Sequence, residues 1–132
     1  MQIVKLTDTV GVSGQISPGD LPALAEAGYR VIVNNRPDGE ALDQPGSAEF
    51  AAAAEAAGLE YHYYPLNAFN YPGDDVGAMA RLFDDGERPV LAFCRSGTRS
   101  TNLWISSRPS QEQDAARERA RGLGFDISMS SR

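Results

Sequence analysis

The segment Phe93-Cys94-Arg95-Ser96-Gly97-Thr98-Arg99-Ser100 gathers the residue types that could carry chemistry. It joins an apolar run, residues 89–93, to a helical stretch bearing Leu103, Trp104 and Ile105. A thiol at that junction sits at a helix mouth, where the dipole and unpaired backbone N–H groups favour an anion. Gly97 allows the loop to curl so that successive N–H groups converge into a nest. Arg95 and Arg99 add two positive charges, and the hydroxyls of Thr98 and Ser100 can donate to the sulfur. Each contribution favours the thiolate, the nucleophilic form of cysteine. The expected nucleophile is therefore Cys94, with Arg99 beside it. Arg95, Ser96, Gly97, Thr98 and Ser100 form a cradle for an anionic substrate. A cysteine alone is usually a small core hydrophobe; one set among Arg, Ser, Gly and Thr at a strand end is a different case.

The elements that must hold this loop read as alternating strands and helices. Residues 1–6 and 10–12 are β-prone and separated by a polar turn. Ser17-Pro18-Gly19-Asp20 carries the signature of a helix start, with Leu21, Leu24 and Ala25 as its apolar stripe and Gly28 at its end. Residues 29–33 form a short β-branched run that stops at Asn34-Asn35-Arg36-Pro37. An alanine-rich helix spans 48–57, and a third core strand covers 60–65. That strand should place Tyr61 and Tyr63 on one face and His62 and Tyr64 on the other. A loop over 67–73 precedes a helix with Val76, Met79, Leu82 and Phe83 on one side. After the cysteine loop, residues 110–121 make a charged amphipathic helix, with Phe125 and Ile127 returning towards the core. This alternation predicts an α/β fold with a central, mainly parallel sheet flanked by helices. Ligands of such sheets bind beyond the carboxyl ends of the strands, where the Cys94 loop falls. The length, 132 residues, is that of one domain.

Composition removes several function classes. Lys and Arg number 12 against 18 Asp and Glu, a net charge of −6, which argues against non-specific binding to nucleic acid or to an anionic membrane. No apolar run approaches the roughly 18 residues of a membrane span, and the start lacks the pattern of a signal peptide. A reducing cytoplasm is the expected compartment, where a free thiol persists. With one Cys and one His, no intramolecular disulfide and no Cys/His zinc cluster can form. No metal or organic cofactor is expected.

The loop resembles two cysteine families. Tyrosine and dual-specificity phosphatases space Cys and Arg by five residues, usually with His before the Cys. Rhodanese-type sulfurtransferases use a loop one residue shorter. Here four residues separate Cys94 from Arg99, and Phe93 stands where the phosphatase histidine would be. Three separated motifs sharpen the likeness: Val12-Ser13-Gly14-Gln15-Ile16, then Val31-Ile32-Val33-Asn34-Asn35-Arg36-Pro37-Asp38-Gly39-Glu40, and the Cys94 loop with Leu103-Trp104. Together they resemble the bacterial phosphatase-like domain of β-lactamase-hydrolase-like proteins, over about residues 10–125. The resemblance implies a dual-specificity-phosphatase-like fold. It also implies a cysteine reaction, either phosphoryl or sulfur transfer, in a domain found alone or fused to a persulfide dioxygenase. The chain has no room for that dioxygenase, which is then a candidate partner.

On the loop length, the expected activity is a thiol sulfurtransferase. Cys94 takes sulfane sulfur from a small anionic donor such as thiosulfate or a persulfide, and passes it to an acceptor thiol or cyanide. The alternative is a phosphatase acting on a phosphate ester through a phosphocysteine clamped by Arg99. A third reading is a non-catalytic anion-binding module. A phosphatase needs an acid for the leaving oxygen; Asp74 and Asp75 are the candidates, though both also suit a helix cap. Arg36 either meets the substrate anion or pairs with Asp38 or Glu40 to hold its own loop. His62, Trp104 and the tyrosines around 61–71 read as packing residues.

Overall fold

A computed structural model describes residues 1–131. β1 (Ile3–Lys5), β2 (Val10–Ser13), β3 (Val31–Asn34), β4 (Glu60–Tyr63) and β5 (Val90–Phe93) form a sheet in the order β1-β2-β5-β3-β4. β2, β5, β3 and β4 are parallel, whereas β1 pairs antiparallel with β2. The sheet is thus mixed at one edge. Only residues 6–9 separate β1 from β2, and a parallel return needs a connection of about a dozen residues or more. The helices are α1 (Leu21–Glu26), α2 (Ser47–Ala57), α3 (Val76–Asp84), α4 (Thr98–Ser106) and α5 (Gln113–Gly122). Among the described residues, no helix is long and apolar enough to cross a membrane.

Strand alternation sorts the core into two layers. Val31, Val33, Val90 and Ala92 pack with Met79, Phe83, Leu103 and Ile105, so α3, α4 and α5 cover one face. Ile32, Leu91 and Phe93 pack with Leu21, Leu24, Phe50 and Ala54, so α1 and α2 cover the other. Tyr61 and Tyr64 join opposite layers, as the two-residue period of β4 requires. Phe93, the residue before the cysteine, is fully buried, with its ring 5.0 Å from that of Phe50. Burying one such side chain stabilises by about 2–3 kcal/mol, which anchors the strand end from which the loop springs. β5 lies between β2 and β3, so the loop after it is flanked by the loops that follow those two strands.

Candidate active site

Cys94 directly follows β5 and is 1% exposed. The Gly97 N–H donates to its sulfur at 3.1 Å. Gly97 has φ +89°, and a Cβ there would lie 3.3 Å from the Phe125 ring and 3.5 Å from the Ser13 backbone. Glycine is thus favoured by conformation, and the space beside it is tight. The neighbouring loop after β2 presses equally close. The Gln15 N–H donates to the Arg95 carbonyl at 3.2 Å, and a Cβ on Gly14 would sit 3.0 Å from that same carbonyl. The first backbone hydrogen bond of α4 runs from the Thr101 N–H to the Gly97 carbonyl. The amides of Thr98, Arg99 and Ser100 therefore remain as the unpaired donors of a helix start, directly after the thiol.

The hydroxyls of the loop are engaged elsewhere than at the sulfur. Ser96 donates to the Thr98 hydroxyl at 3.1 Å. Ser100 is fully buried and donates to Asn35 Oδ1 at 2.8 Å. Asn35 ties three segments together: its N–H reaches the Phe93 carbonyl, its Nδ2 the Tyr64 carbonyl, and its own carbonyl accepts from the Leu66 N–H. The second residue of the Asn34-Asn35 turn thus braces the base of the cysteine loop.

Arg99 leans out of α4 towards the loop after β3. Its NH1 donates to Glu40 Oε2 at 2.7 Å and to the Leu66 carbonyl at 2.8 Å, and its NH2 donates to Glu40 Oε1 at 2.9 Å. Arg36 reaches the same carboxylate through Nε at 3.0 Å, and its NH1 donates to Gln15 Oε1 at 2.9 Å. Of the two pairings open to Arg36 in the sequence, the structure selects Glu40; Asp38 instead accepts from the Ser47 N–H at the start of α2. The Arg99 hydrogen bond, followed by that of Arg36, draws the Glu40 carboxyl below its ordinary range against the opposing effect of burial. The Arg99 guanidinium is held more basic than usual, chiefly by Glu40 and further by the adjacent Cys94 sulfur, with burial acting the other way.

A cleft of about 790 Å³ opens over this network, lined among others by Gln15, Arg36, Glu40, Asp43, Arg95 and Arg99. Cys94 directly precedes the lining residue Arg95 and is not itself part of the wall. Arg95 is exposed, and its guanidinium has no hydrogen-bond or ion-pair partner among the described residues. Asp43 is likewise exposed in the wall, and its carboxylate has no such partner. Ser96 faces a separate cleft with Ser13, Gly14 and Phe125. Among the described residues no group of three or more His, Cys, Asp or Glu is arranged to hold a metal.

The other residues singled out in the sequence fall away from the cleft. Asp75 caps α3, its Oδ1 accepting from the Ala78 N–H at 3.0 Å, and Asp74 borders a different cleft with Tyr63 and Tyr64. His62 hydrogen-bonds to Glu60. Trp104 packs into the α3–α5 layer. Residues unmarked as functional in the sequence, Gln15, Asn35, the Leu66 carbonyl and Asp43, come to the site. Their one shared signal is position: Gln15, Asn35 and Leu66 follow the carboxyl ends of β2, β3 and β4, and Asp43 belongs to the longer loop after β3.

The model of the phosphatase-like domain of beta-lactamase hydrolase-like proteins matches residues 2–123 of the chain. A beta-lactamase hydrolase-like protein of Agrobacterium fabrum is 34% identical over 105 residues, 80% of this chain. One from Xylella fastidiosa is 35% identical over 130 residues, 96% of this chain. The chain spans only 24% and 30% of the lengths of those two relatives. Among solved structures, a candidate phosphatase of Neisseria meningitidis superposes with a TM-score of 0.79 at 34% identity, covering 96% of this chain and 92% of that one. The structure named Tk-PTP gives a TM-score of 0.72 at 19% identity, covering 98% and 90%, a likeness of fold.

Proposed function

Because the chain belongs to the family of phosphatase-like domains of beta-lactamase hydrolase-like proteins, we propose that it is a cysteine-dependent phosphohydrolase acting on phosphate monoesters. The observation that carries this reading is the Cys94 loop. A thiol receives the Gly97 N–H, three unpaired amides follow at the start of α4, and Arg99 stands beside the sulfur in a cysteine-phosphatase frame. That set suits a phosphoryl group: amides and a guanidinium take its equatorial oxygens as charge develops on them. The Cys94 thiolate attacks phosphorus, the ester P–O bond breaks, and a phosphocysteine forms. Water then attacks phosphorus, the P–S bond breaks, and inorganic phosphate leaves with the thiolate restored. Arg95, exposed in the cleft wall and without a side-chain partner among the described residues, meets the incoming anion. Asp43 is the carboxylate in that wall without a partner among the described residues; in this mechanism it gives the leaving oxygen its proton and takes one back from the attacking water.

Sulfur transfer remains a second reading on one specific observation. Asp74 and Asp75 both lie away from the cleft, and a sulfur leaving group needs no proton. The Cys94 thiolate would attack the outer sulfur of thiosulfate, the S–S bond would break, and sulfite would leave with the electron pair. Cyanide or a thiolate acceptor would then remove the sulfur and restore Cys94. The sequence places this reading first, on the short Cys–Arg spacing; the structural relatives favour the phosphatase order.

One experiment separates the two. The chain is incubated with an aryl phosphate and, separately, with thiosulfate, and intact mass, phosphate release and thiocyanate formed on adding cyanide are measured. Phosphate release that is abolished in Cys94→Ser is the expected result. A gain of one reducible sulfur atom with thiocyanate production and no phosphate release overturns the proposal in favour of sulfur transfer.

A further inference from the structure

We infer that Glu40 is the positioning residue of the anion clamp, and that its hold on Arg99 is what lets a Cys–Arg spacing one residue short of the phosphatase pattern present a guanidinium fork beside Cys94. The inference rests on the reading of Arg99 as the clamp and goes beyond it by naming what aims that residue.

With five intervening residues, the arginine would stand at position 100. Here that position is Ser100, fully buried and bonded to Asn35, and it brings no charge. Arg99 stands one residue earlier on α4, and one helical residue is a rotation of about 100°. Its side chain therefore leaves the helix on a different bearing and needs an external anchor to return to the loop. The anchor is visible atom by atom. A guanidinium has five N–H donors. Glu40 takes one from NH1 and one from NH2, and the Leu66 carbonyl takes the second proton of NH1. The Nε–H and the remaining NH2 proton, parallel on the side edge, have no carboxylate or carbonyl partner among the described residues; the nearby Cys94 sulfur is the group Arg99 also meets, and this edge has the geometry that meets two oxygens of one anion. The carboxylate holds the adjoining end-on edge, which shares NH2 with the side edge, and so fixes the fork without occupying the place of the ligand.

Glu40 is itself secured. Arg36, whose side chain is only 9% exposed, bonds Glu40 through Nε and reaches Gln15 through NH1. The chain of contacts runs from the loop after β2, through Arg36 and Glu40 in the loop after β3, to Arg99 on α4. The loops after β3 and β4 thus meet the Arg99 guanidinium directly, through Glu40 and the Leu66 carbonyl, and the loop after β2 supports it through Arg36.

The test uses the full chain, with inorganic phosphate as probe for titration calorimetry and an aryl phosphate for turnover. Glu40→Gln, close in size but uncharged, is expected to weaken phosphate binding about tenfold or more and to lower turnover with it. Glu40→Asp, which keeps the charge, should recover part of the affinity. Arg36→Lys, which keeps its charge but loses the fork, should give a smaller loss of the same sign and serves if Glu40→Gln does not fold. A purely structural role would lower the melting temperature and leave the phosphate affinity of the folded protein unchanged, which overturns the inference. So does Glu40→Gln binding phosphate as tightly as the wild type or more tightly, since the carboxylate would then be a competitor of the anion. Binding that Arg99→Ala abolishes, in a wild-type protein without aryl-phosphate turnover, overturns the phosphohydrolase reading alone. An absence of phosphate binding in the wild type overturns both.

Discussion

In the proposed mechanism single atoms carry the chemistry, and their surroundings give them unlike tasks. Cys94 is almost wholly buried and directly precedes Arg95 in the wall of a polar cleft. Ser in its place is close in size, so the substitution tests the proposed nucleophile with little change of volume. Cys94→Ser should lose essentially all turnover and keep phosphate affinity within a few-fold, checked by kinetics and calorimetry on one preparation. Asp43→Asn separates leaving groups. Hydrolysis of an ester with a poor leaving group should fall about a hundredfold and that of p-nitrophenyl phosphate far less, because nitrophenolate departs without a proton; equal losses on both would remove Asp43 from the acid role. Glu40 has a pH signature with a definite sign. Its carboxyl is lowered in the fold, mainly by Arg99, so its contribution to stability is complete above the ordinary carboxylate range. That contribution disappears as pH falls through the lowered value. Wild type should thus be more stable than Glu40→Gln at pH 7 and converge with it in acid, as read from urea midpoints against pH.

At the scale of elements, the cysteine loop works because its two neighbours fit closely against it. Gly97→Ala would put a Cβ on a residue at φ +89° and 3.3 Å from Phe125, at a cost of about 1–2 kcal/mol. It should lose activity well beyond that fraction, because the Gly97 N–H that points to the sulfur would turn. Asn35→Ala removes the bonds to Ser100 and to the Tyr64 carbonyl, and unpaired buried groups cost about 1–3 kcal/mol. Its chemical denaturation midpoint should drop accordingly. The alternation of helix and strand was legible from turn residues and apolar periods, because those are local properties. The place of β1 at the sheet edge beside β2 was not, since which strand edge is free depends on the order of the other strands. The direction of the loop hydroxyls was not legible either. Ser100 reads as a donor to the sulfur, and only the packing of the β3 loop beneath it turns that hydroxyl to Asn35.

Over the whole molecule, two apolar layers on opposite faces of one sheet hold the carboxyl edge on which the loops converge. Trp104 belongs to the α3–α5 layer and Phe50 to the α1–α2 layer. If the layers unfold together, Phe50→Ala should shift the Trp104 fluorescence transition and the far-ultraviolet dichroism transition by the same amount, about 3–5 kcal/mol of lost stability. Separate shifts would show that the two faces melt independently. The net charge of −6 and a cleft wall holding Arg36, Arg95 and Arg99 are compatible because the acidic side chains are distributed elsewhere, apart from Glu40 and Asp43.

The candidate nucleophile and its frame were legible before any fold was known, because a lone cysteine among Arg, Ser, Gly and Thr at a strand end is a local pattern. The sequence also showed the short spacing from Cys94 to Arg99 and the presence of Arg36 near Glu40. Tertiary structure alone decided what these residues do to one another. Glu40 and Arg99 are 59 positions apart in the chain, and no local pattern relates them. They meet because β5 is inserted between β2 and β3, which brings the loops after those strands to one edge. The aim of the guanidinium is thus a property of strand order, and strand order is a property of the whole fold.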